Sequence, residues 1–315
     1  MKKMIVFTLL LLTTILASCS QQNDPESLDV LVPTGSPQFS QLYLEGNVED
    51  YDVFDLDVDT VQGAETLPSA FGSESHDIIF APTNLGAKLI DTGVPYTFAA
   101  AITHGNLYLV SSSKIDSMSD LEGESITLFG QNSTPDIVLK SLIENADLDE
   151  DPTLDYVDSV QSALSEFQSE KADIVMLAEP MLSTLEAKND GIHTYDLQDA
   201  WEEAFDKDSY PQSGVFIHDD VASEVSDSYL DALDESIQKA NDSPEEVASL
   251  AETLDVPFEE NILINAIPRS HLKFVHAQDS KEDLEFFFER ILELNPALIN
   301  DNLPDASFYL NHNEE

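Results

Sequence analysis

Cysteine is almost absent from this chain of 315 residues, because Cys19 is the only one. An internal disulfide, a cysteine-based zinc site and a redox pair each need more than one cysteine, so all three are excluded. The seven histidines form no HExxH motif or comparable pairing. We therefore expect neither a metal nor a cofactor.

Positive charge is also scarce. The chain has 13 lysines and arginines against 62 aspartates and glutamates, which gives a formal net charge of −49. A surface of that sign repels phosphate backbones and anionic lipid head groups, so nucleic-acid binding and electrostatic adsorption to membranes are excluded. Because 42% of the residues are hydrophobic, the chain can still build a substantial core.

The N-terminal apolar run is too short to span a bilayer. Two lysines precede residues 4–17, which carry no charge but fall short of the roughly 20 residues that a membrane-spanning helix needs. The pattern predicts a cleaved secretory signal over residues 1–18. Residues 16–19, LASC, resemble the lipobox of bacterial lipoproteins, and this resemblance implies lipidation of Cys19. Polar residues 19–27 would then form a tether.

The remaining chain contains two similar α/β units. After the first strand of each unit, a hydroxyl residue and a proline follow one another, Ser36 with Pro37 and Thr134 with Pro135. This pattern predicts that both hydroxyls cap a helix. A later strand of each unit ends in a proline, which in both copies comes 45 residues after the first proline. The agreement favours a duplication that gives two lobes.

The order of strands and helices predicts an α/β fold in which one lobe interrupts the other. Apolar runs predict strands at residues 28–32, 76–81, 97–102, 107–110, 125–129, 172–178 and 213–217, and the remainder after the last of them is predicted to be helical. Two crossings are expected near residues 106–112 and 210–215. Lobe I would cover residues 28–108 and 213–315, and lobe II residues 109–212.

This organisation resembles the solute-binding lipoproteins of bacterial ABC importers. The lipobox, the tether, the strand–TGSP–helix opening at Ser36 and a segment at residues 119–126, similar to DLKGK-I in that family, carry the resemblance. The most similar subgroup binds nitrate, sulfonates and the pyrimidine precursor of thiamine. Glu122 and Glu124 replace lysines that are usual in that segment.

The resemblance implies a periplasmic-binding-protein fold of type II, with a ligand cleft between two lobes that are joined by two crossings. It also implies a protein without enzymatic activity, held by the lipid on Cys19 at the outer face of the bacterial cytoplasmic membrane. Such a protein acts as a monomer and passes a small solute to ABC permease subunits.

Candidate ligand-binding residues follow from backbone physics. In open α/β sheets, ligands bind beyond the carboxyl ends of the strands, where helix N-termini leave amide groups unpaired. The loops at these ends and at the two crossings give the predicted site: Thr34, Gly35, Ser36, Thr83, Asn84, His104, Asn106, Gln131, Asn132, Ser133, Thr134, Glu179, Tyr210 and Gln212.

Each candidate also has a purely structural interpretation. The hydroxyl residues can serve only as helix caps, and Gly35 only as a turn residue. His104 can be a hydrogen-bonded core histidine, and Tyr210 can pack in the core instead of stacking on a ligand ring. Glu179 is either an exposed carboxylate at a strand end or the partner of an N–H group or amine of the ligand.

The predicted site also lacks arginine. The only arginines are Arg269 and Arg290, both outside the loops named above. Without an arginine clamp, a strongly anionic ligand would depend on backbone amides and hydroxyls alone. The residue types therefore favour a neutral or weakly charged heterocycle such as a pyrimidine, with a sulfonate- or nitrate-type anion as the alternative.

The sequence leaves other functions open. Asp55, Asp57 and Asp59 imitate the start of an EF-hand, but Thr60 stands where the calcium loop needs glycine, so they are assigned to a solvated acidic loop. An enzyme on the same two-lobed fold is an alternative, although no nucleophile–base pair is visible and a secretory signal argues against it. An adhesin or signalling lipoprotein is a further alternative.

The lipobox generates the first prediction. Replacing Cys19→Ser removes the thiol that would carry the lipid, so incorporation of radiolabelled palmitate into the protein should be lost. The protein should then leave the membrane fraction. Ser27→Ala, in the predicted tether, should change neither result. Unchanged labelling of Cys19→Ser would contradict the lipoprotein interpretation.

Overall fold

The computed structural model describes residues 25–189 and 191–311, so Cys19 lies outside the described residues. The strands of these residues are β1 (Glu26–Pro33), β2 (Phe54–Val61), β3 (Ile78–Pro82), β4 (Tyr96–Thr103), β5 (Leu107–Ser111), β6 (Ser125–Phe129), β7 (Thr153–Val157), β8 (Ile174–Ala178), β9 (His193–Asp196), β10 (Ser213–His218) and β11 (Leu272–His276).

The α-helices of the same residues are α1 (Ser36–Phe39), α2 (Leu42–Gly46), α3 (Leu67–Ser73), α4 (Thr83–Ile90), α5 (Thr134–Ala146), α6 (Val160–Gln168), α7 (Met181–Glu186), α8 (Leu197–Phe205), α9 (Ser223–Asp242), α10 (Pro244–Ser249), α11 (Glu260–Ala266) and α12 (Lys281–Leu294). Across the described part of the chain, no helix combines the length and the apolar character that crossing a membrane requires.

The strands form two mixed sheets. The first sheet has the order β11-β4-β10-β3-β1-β2, and the second has the order β7-β6-β8-β5-β9. In each sheet the first strand of the unit pairs in parallel with the next two, and an antiparallel strand follows. The chain crosses to the second sheet between Thr103 and Leu107 and returns before Ser213. The predicted α/β fold class is confirmed.

The two sheets repeat the same pairing distances along the chain. Residues paired between β1 and β2 are 28 positions apart, and so are those paired between β6 and β7. Residues paired between β1 and β3 are 48 positions apart, and so are those paired between β6 and β8. These equal separations between paired residues support the interpretation of the chain as an internal duplication.

Four strands do not coincide with the predicted segments. All seven predicted strands exist, but β2, β7, β9 and β11 were not predicted. The expectation that the remainder of the chain is helical is therefore wrong at β11, which pairs with β4. Each of the four lies at an edge of its sheet, where one flank stays solvated and the apolar run that marks a buried strand is absent.

The acidic segment at Asp55, Asp57 and Asp59 is one of these strands and not a loop. Its three aspartates alternate with Leu56 and Val58 along β2, and all three are exposed while the apolar residues are half-buried. This is the period of two that a strand with one solvated face requires. The assignment to a solvated loop is corrected, although the aspartates are solvated as expected.

The largest apolar core joins the two sheets. It contains Phe98 and Phe216 from the first sheet, Leu109 and Met176 from the second, and Phe287 from α12, all of them buried. Further clusters cover the other face of each sheet. The sheets are therefore held together by packed side chains as well as by the crossings.

Close packing against Phe216 generates a prediction for Gly86 in α4. Alanine normally stabilises a helix relative to glycine by about 1 kcal/mol. A Cβ at Gly86 would lie 2.0 Å from Cζ of Phe216, however, so Gly86→Ala should lower the free energy of unfolding by roughly 1–3 kcal/mol.

The matched control is Gly72→Ala in α3, where a Cβ would meet nothing within 4 Å. Urea unfolding should show a lower free energy of unfolding for Gly86→Ala and a higher or unchanged one for Gly72→Ala. Equal stability of Gly86→Ala and the parent protein would contradict the packing.

Candidate functional site

A cleft of about 570 Å³ opens where the parallel strands of both sheets end. Its walls come from the turns after β1 and β2 and the end of β3 in the first sheet, from the turns after β6, β7 and β8 in the second, and from the two crossings. Parallel strands present their carboxyl ends at one edge, so these turns converge although they are far apart in the sequence.

The cleft brings together eight of the predicted ligand-binding residues. These are Thr34, Gly35, Ser36, Asn106, Ser133, Thr134, Glu179 and Gln212. The other six are not among the residues that line the cleft: Thr83, Asn84, His104, Gln131, Asn132 and Tyr210. The structure thus places eight of the fourteen predicted side chains on one cleft and six outside its lining.

Hydrogen bonds between polar side chains connect the first turn to both crossings. Asn106 Nδ2 donates to Ser36 Oγ at 2.8 Å, and Gln212 Nε2 donates to Asn106 Oδ1 at 3.0 Å. Ser36 Oγ in turn donates to Ser270 Oγ at 2.9 Å. Because Asn106 and Gln212 lie at the two crossings, these bonds fix the polar part of the cleft relative to the strands.

The helix starts beside the cleft differ from the predicted caps. Helix α1 begins at Ser36 itself and α5 at Thr134 itself, and neither helix has a side-chain cap. The prediction that these hydroxyls cap their helices is wrong, because a cap stands one position before the first helical residue. Helix α1 also has only four residues, so it offers little of the dipole that a long helix would provide.

Two buried residues of α4 support the cleft from outside. Thr83 Oγ1 donates to the carbonyl of Pro211 at 2.8 Å, next to the second crossing. Asn84 Oδ1 accepts a hydrogen bond from Thr134 Oγ1 at 3.3 Å and so connects the two sheets. Both side chains are used within the protein.

The turn after β6 is anchored by a residue that the sequence reasoning missed. Asp136 is buried and accepts hydrogen bonds from the backbone N–H of Asn132 at 2.9 Å and from Tyr156 at 2.6 Å. Asn132 Oδ1 accepts a bond from Asn295, and Gln131 is exposed. These contacts hold Ser133 at the cleft and leave Asn132 and Gln131 away from it.

His104 serves the core. Its ring nitrogens bond to Ser209 Oγ and to the carbonyl of Lys273, both at 3.1 Å. Burial, assisted by the Lys273 cation, lowers the pKa of His104 to about 4. The ring is therefore neutral near pH 7, which fits its structural interpretation.

Tyr210 is also a core residue. It is fully buried, and its ring centroid lies 5.1 Å from that of Trp201 and 5.9 Å from that of Phe287. Burial raises the pKa of its hydroxyl well above the ordinary value. The structure therefore places Tyr210 in an aromatic cluster beside the cleft, as packing and not as a platform for a ligand ring.

Among the described residues, Glu179 is the one buried carboxylate that lines the cleft. It is 4% exposed, although one alternative had placed it on the surface. Its oxygens accept bonds from the backbone N–H of Ser183 at 3.1 Å and from Ser183 Oγ at 3.0 Å. Burial raises the pKa of Glu179 to about 7, against the opposing effect of these bonds and of the Arg269 cation.

Two residues that line the cleft each carry a buried polar atom without a hydrogen-bond partner among the described residues. Gln212 Oε1 and Ser213 Oγ are buried and make no hydrogen bond to any described residue. Leaving a buried polar atom without a hydrogen bond lowers the stability of the folded state by about 1–3 kcal/mol, so most buried polar atoms in native proteins are hydrogen-bonded. These atoms can bond to a ligand that enters the cleft.

Several cleft-lining residues were missed by the sequence reasoning. Exposed carboxylates stand at Glu65 and Asp158, and apolar side chains stand at Phe129, Met181 and Phe258. Asp158 directly follows β7, a strand that was not predicted, and Phe258 lies in the connection between α10 and α11. Recognising β7 would have pointed to Asp158, while nothing local marks Phe258.

The turns of the two sheets approach each other closely at one side of the cleft. A Cβ at Gly35 would lie 3.8 Å from Cδ of Pro180 and 3.9 Å from the carbonyl oxygen of Glu179. Gly35 also has φ of +105°, a conformation that favours glycine. Gly35 therefore has a positive φ and lies next to Glu179 and Pro180 of the second sheet.

Comparison with known proteins points to one family. A family model described as NMT1/THI5 like matches residues 36–247. No curated protein matches the sequence.

Solved structures share the fold over nearly the whole chain. The structure of an ABC transporter from Parabacteroides distasonis superposes with a TM-score of 0.79 at 22% identity, covering 92% of this chain and 100% of that chain. The periplasmic aliphatic sulphonate binding protein of Escherichia coli gives 0.66 at 15% identity, covering 92% and 96%. The alkanesulfonate-binding protein of Xanthomonas axonopodis pv. citri, bound to MOPS, gives 0.59 at 14% identity, covering 88% and 98%. At these identities the likeness establishes the fold.

The burial of Glu179 generates a prediction about pH. Because the folded state raises its pKa from 4.5 to about 7, the stabilising effect of its proton is complete below pH 4.5 and is lost as the pH rises through 7. Glu179→Gln cannot lose a proton. Relative to the parent protein, its free energy of unfolding should therefore rise by up to about 3 kcal/mol between pH 5 and pH 8.

Urea unfolding at several pH values measures this difference. The control is Glu122→Gln, which removes an exposed carboxylate from the surface of the same protein. Parallel pH profiles for Glu179→Gln and the parent protein would be inconsistent with a buried, titrating carboxylate.

Proposed function

The chain belongs to the NMT1/THI5-like family, and on that premise we propose that it is the solute-binding protein of an ABC-type importer. It captures a small solute in the cleft between its two sheets and delivers it to the permease. We propose that residues 28–108 and 213–315 form lobe I and that residues 109–212 form lobe II. The proposal is supported by the α/β fold that it shares with binding proteins of such systems.

The proposed place of action is the outer face of the cytoplasmic membrane. The predicted secretory signal and lipobox support export, and a lipid on Cys19 would provide the anchor that a protein with net charge −49 could not obtain from anionic head groups. The protein is proposed to act as a monomer and without enzymatic activity of its own.

The charges around the cleft support the proposed class of solute. Among the described residues that line it, none is lysine, arginine or histidine, while Glu65, Asp158 and Glu179 contribute carboxylates. A sulfonate or nitrate would meet these carboxylates without an arginine or lysine to pair with it. A neutral or weakly basic molecule with N–H groups would not suffer this repulsion.

The other lining groups fit a flat heterocycle. Phe129, Met181 and Phe258 offer apolar and aromatic surface, and Gln212 and Ser213 offer unpaired polar atoms. Ligand pockets typically combine such an apolar lining with a few directed polar groups. We therefore propose an amine-bearing heterocycle of the aminopyrimidine type as the solute, and the absence of a lining cation is the observation that carries this choice.

Isothermal titration calorimetry distinguishes the solute classes. The purified protein is titrated with 4-amino-5-hydroxymethyl-2-methylpyrimidine and, separately, with methanesulfonate, MOPS and nitrate. Binding of the pyrimidine alone is the expected result. Tight binding of an anion without any response to the pyrimidine would overturn the proposed solute class.

Ser213 generates a sharper prediction for the same experiment. Because its hydroxyl has no partner among the described residues, Ser213→Ala should leave the melting temperature unchanged and weaken pyrimidine binding roughly five- to tenfold, the effect of about 1 kcal/mol from one neutral hydrogen bond.

Ser141→Ala is the matched control. Ser141 is also a buried serine without a partner among the described residues, but it lies within α5 and does not line the cleft. It should alter neither stability nor binding. Unchanged affinity of Ser213→Ala would rule out a bond from the solute to this hydroxyl.

A further inference from the structure

A short turn that the sequence reasoning left unassigned touches the cleft and the second sheet. It is the 3₁₀ turn Pro268–Ser270, which follows α11. Ser270 accepts the bond from Ser36 beside the cleft, and the carbonyl of Arg269 accepts a bond from Tyr108 in β5 at 2.8 Å. Hydrogen bonds therefore connect this turn both to Ser36 at the cleft and to β5 of the second sheet.

The side chain of Arg269 reaches the second sheet behind the cleft wall. Its Nη1 atom lies 3.7 Å from Glu179 Oε1 and also donates a short hydrogen bond to Glu186 in α7. Arg269 does not line the cleft, whereas Glu179 does. One guanidinium thus serves two carboxylates, of which only one faces the solute.

The charges around Glu179 oppose one another. Arg269 lowers the pKa of Glu179, whereas Glu186 raises it, and burial raises it most. Tyr108 also interacts with Glu179, and burial keeps its hydroxyl protonated near neutral pH. The charge state of Glu179 therefore depends on how Arg269 is divided between its two partners.

We propose that Arg269 is a positioning residue that acts through Glu179: from behind the wall it favours the carboxylate form of Glu179, and so makes the cleft select solutes that present a positively charged or N–H-donating group. This inference rests on the proposed function and deepens it by naming the group of the solute that is recognised. With Glu179 and Glu186 both ionised, Arg269 compensates only one of them, and one negative charge remains for the solute.

The first test needs no ligand. The ¹³Cδ resonance of Glu179, identified by its loss in Glu179→Gln, is followed from pH 4.5 to 9 in the purified protein. Arg269→Gln should raise the titration midpoint, and Glu186→Gln should lower it by leaving Arg269 to Glu179 alone. Arg269→Lys, which keeps the charge, should restore most of the parent value.

Arg290→Gln is the control for loss of an arginine, because Arg290 lies on α12 and pairs with Glu293. It should leave the midpoint unchanged. If Arg269 had only a structural role, Arg269→Gln and Glu186→Gln would not move the titration midpoint of Glu179 in opposite directions. Midpoints that stay unchanged, or move in the same direction, in Arg269→Gln and Glu186→Gln would overturn the inference.

The second test uses two matched probes. 4-Amino-5-aminomethyl-2-methylpyrimidine carries a cationic amine near pH 7, and the 5-hydroxymethyl compound is its neutral counterpart. The parent protein should prefer the amine by about tenfold or more, the factor that corresponds to one pKa unit. Arg269→Gln should lose that preference at pH 7 and regain part of it at pH 8.5.

The two tests separate this inference from the proposed function. If neither probe binds the parent protein, the proposed solute class fails, and the titration of Glu179 still decides the role of Arg269. If both probes bind and Arg269→Gln keeps the parent preference at pH 7, the proposed function stands and the inference fails.

Discussion

Parallel pairing places the ends of β1 and β3 at one edge of the first sheet and those of β6 and β8 at one edge of the second. The cleft depends on this constraint, because most of its lining residues lie at the ends of these strands and of their parallel neighbours β2 and β7. The registers within the two sheets are equal, so the turns come from equivalent places in the repeated unit. The unit is a scaffold that delivers loops to one place, and the loops themselves carry the chemistry.

Electrostatics within the cleft follows the charge of the whole chain. A surface with net charge −49 gives any entering anion a repulsive field, and the lining carboxylates continue that field inward. Burial alone would keep Glu179 protonated, and Arg269 opposes this from outside the cleft. The turn at Arg269 and the cleft are thus connected through a single carboxylate, which is the group that the proposed solute would meet. The structural relatives named for sulfonate binding share the fold, whereas solute preference rests on such individual side chains.

The sequence predicted the buried parts of the fold well because long apolar runs mark central strands. It failed at edge strands such as β2, whose alternation of aspartate with apolar residues was interpreted as an acidic loop. Several nominated loops meet at the cleft, since strand ends converge by geometry. The sequence could not choose between the two interpretations of Asn84 and His104, because their partners, Thr134 and Lys273, are distant in the sequence. Arg269 was noticed only for lying outside the nominated loops, and its proximity to Glu179 arises from tertiary packing alone.

The aspartates of β2 have a consequence for crowded conditions. The outer flank of an edge strand exposes backbone groups to which a strand from a neighbouring molecule could bond. On β2, Asp55, Asp57 and Asp59 place a negative charge at every second position, all on the exposed face of this edge strand. A second copy that offered the same strand would bring three like charges against three. Molecules gathered at high density should therefore remain separate, and each would keep its cleft open to the surrounding fluid.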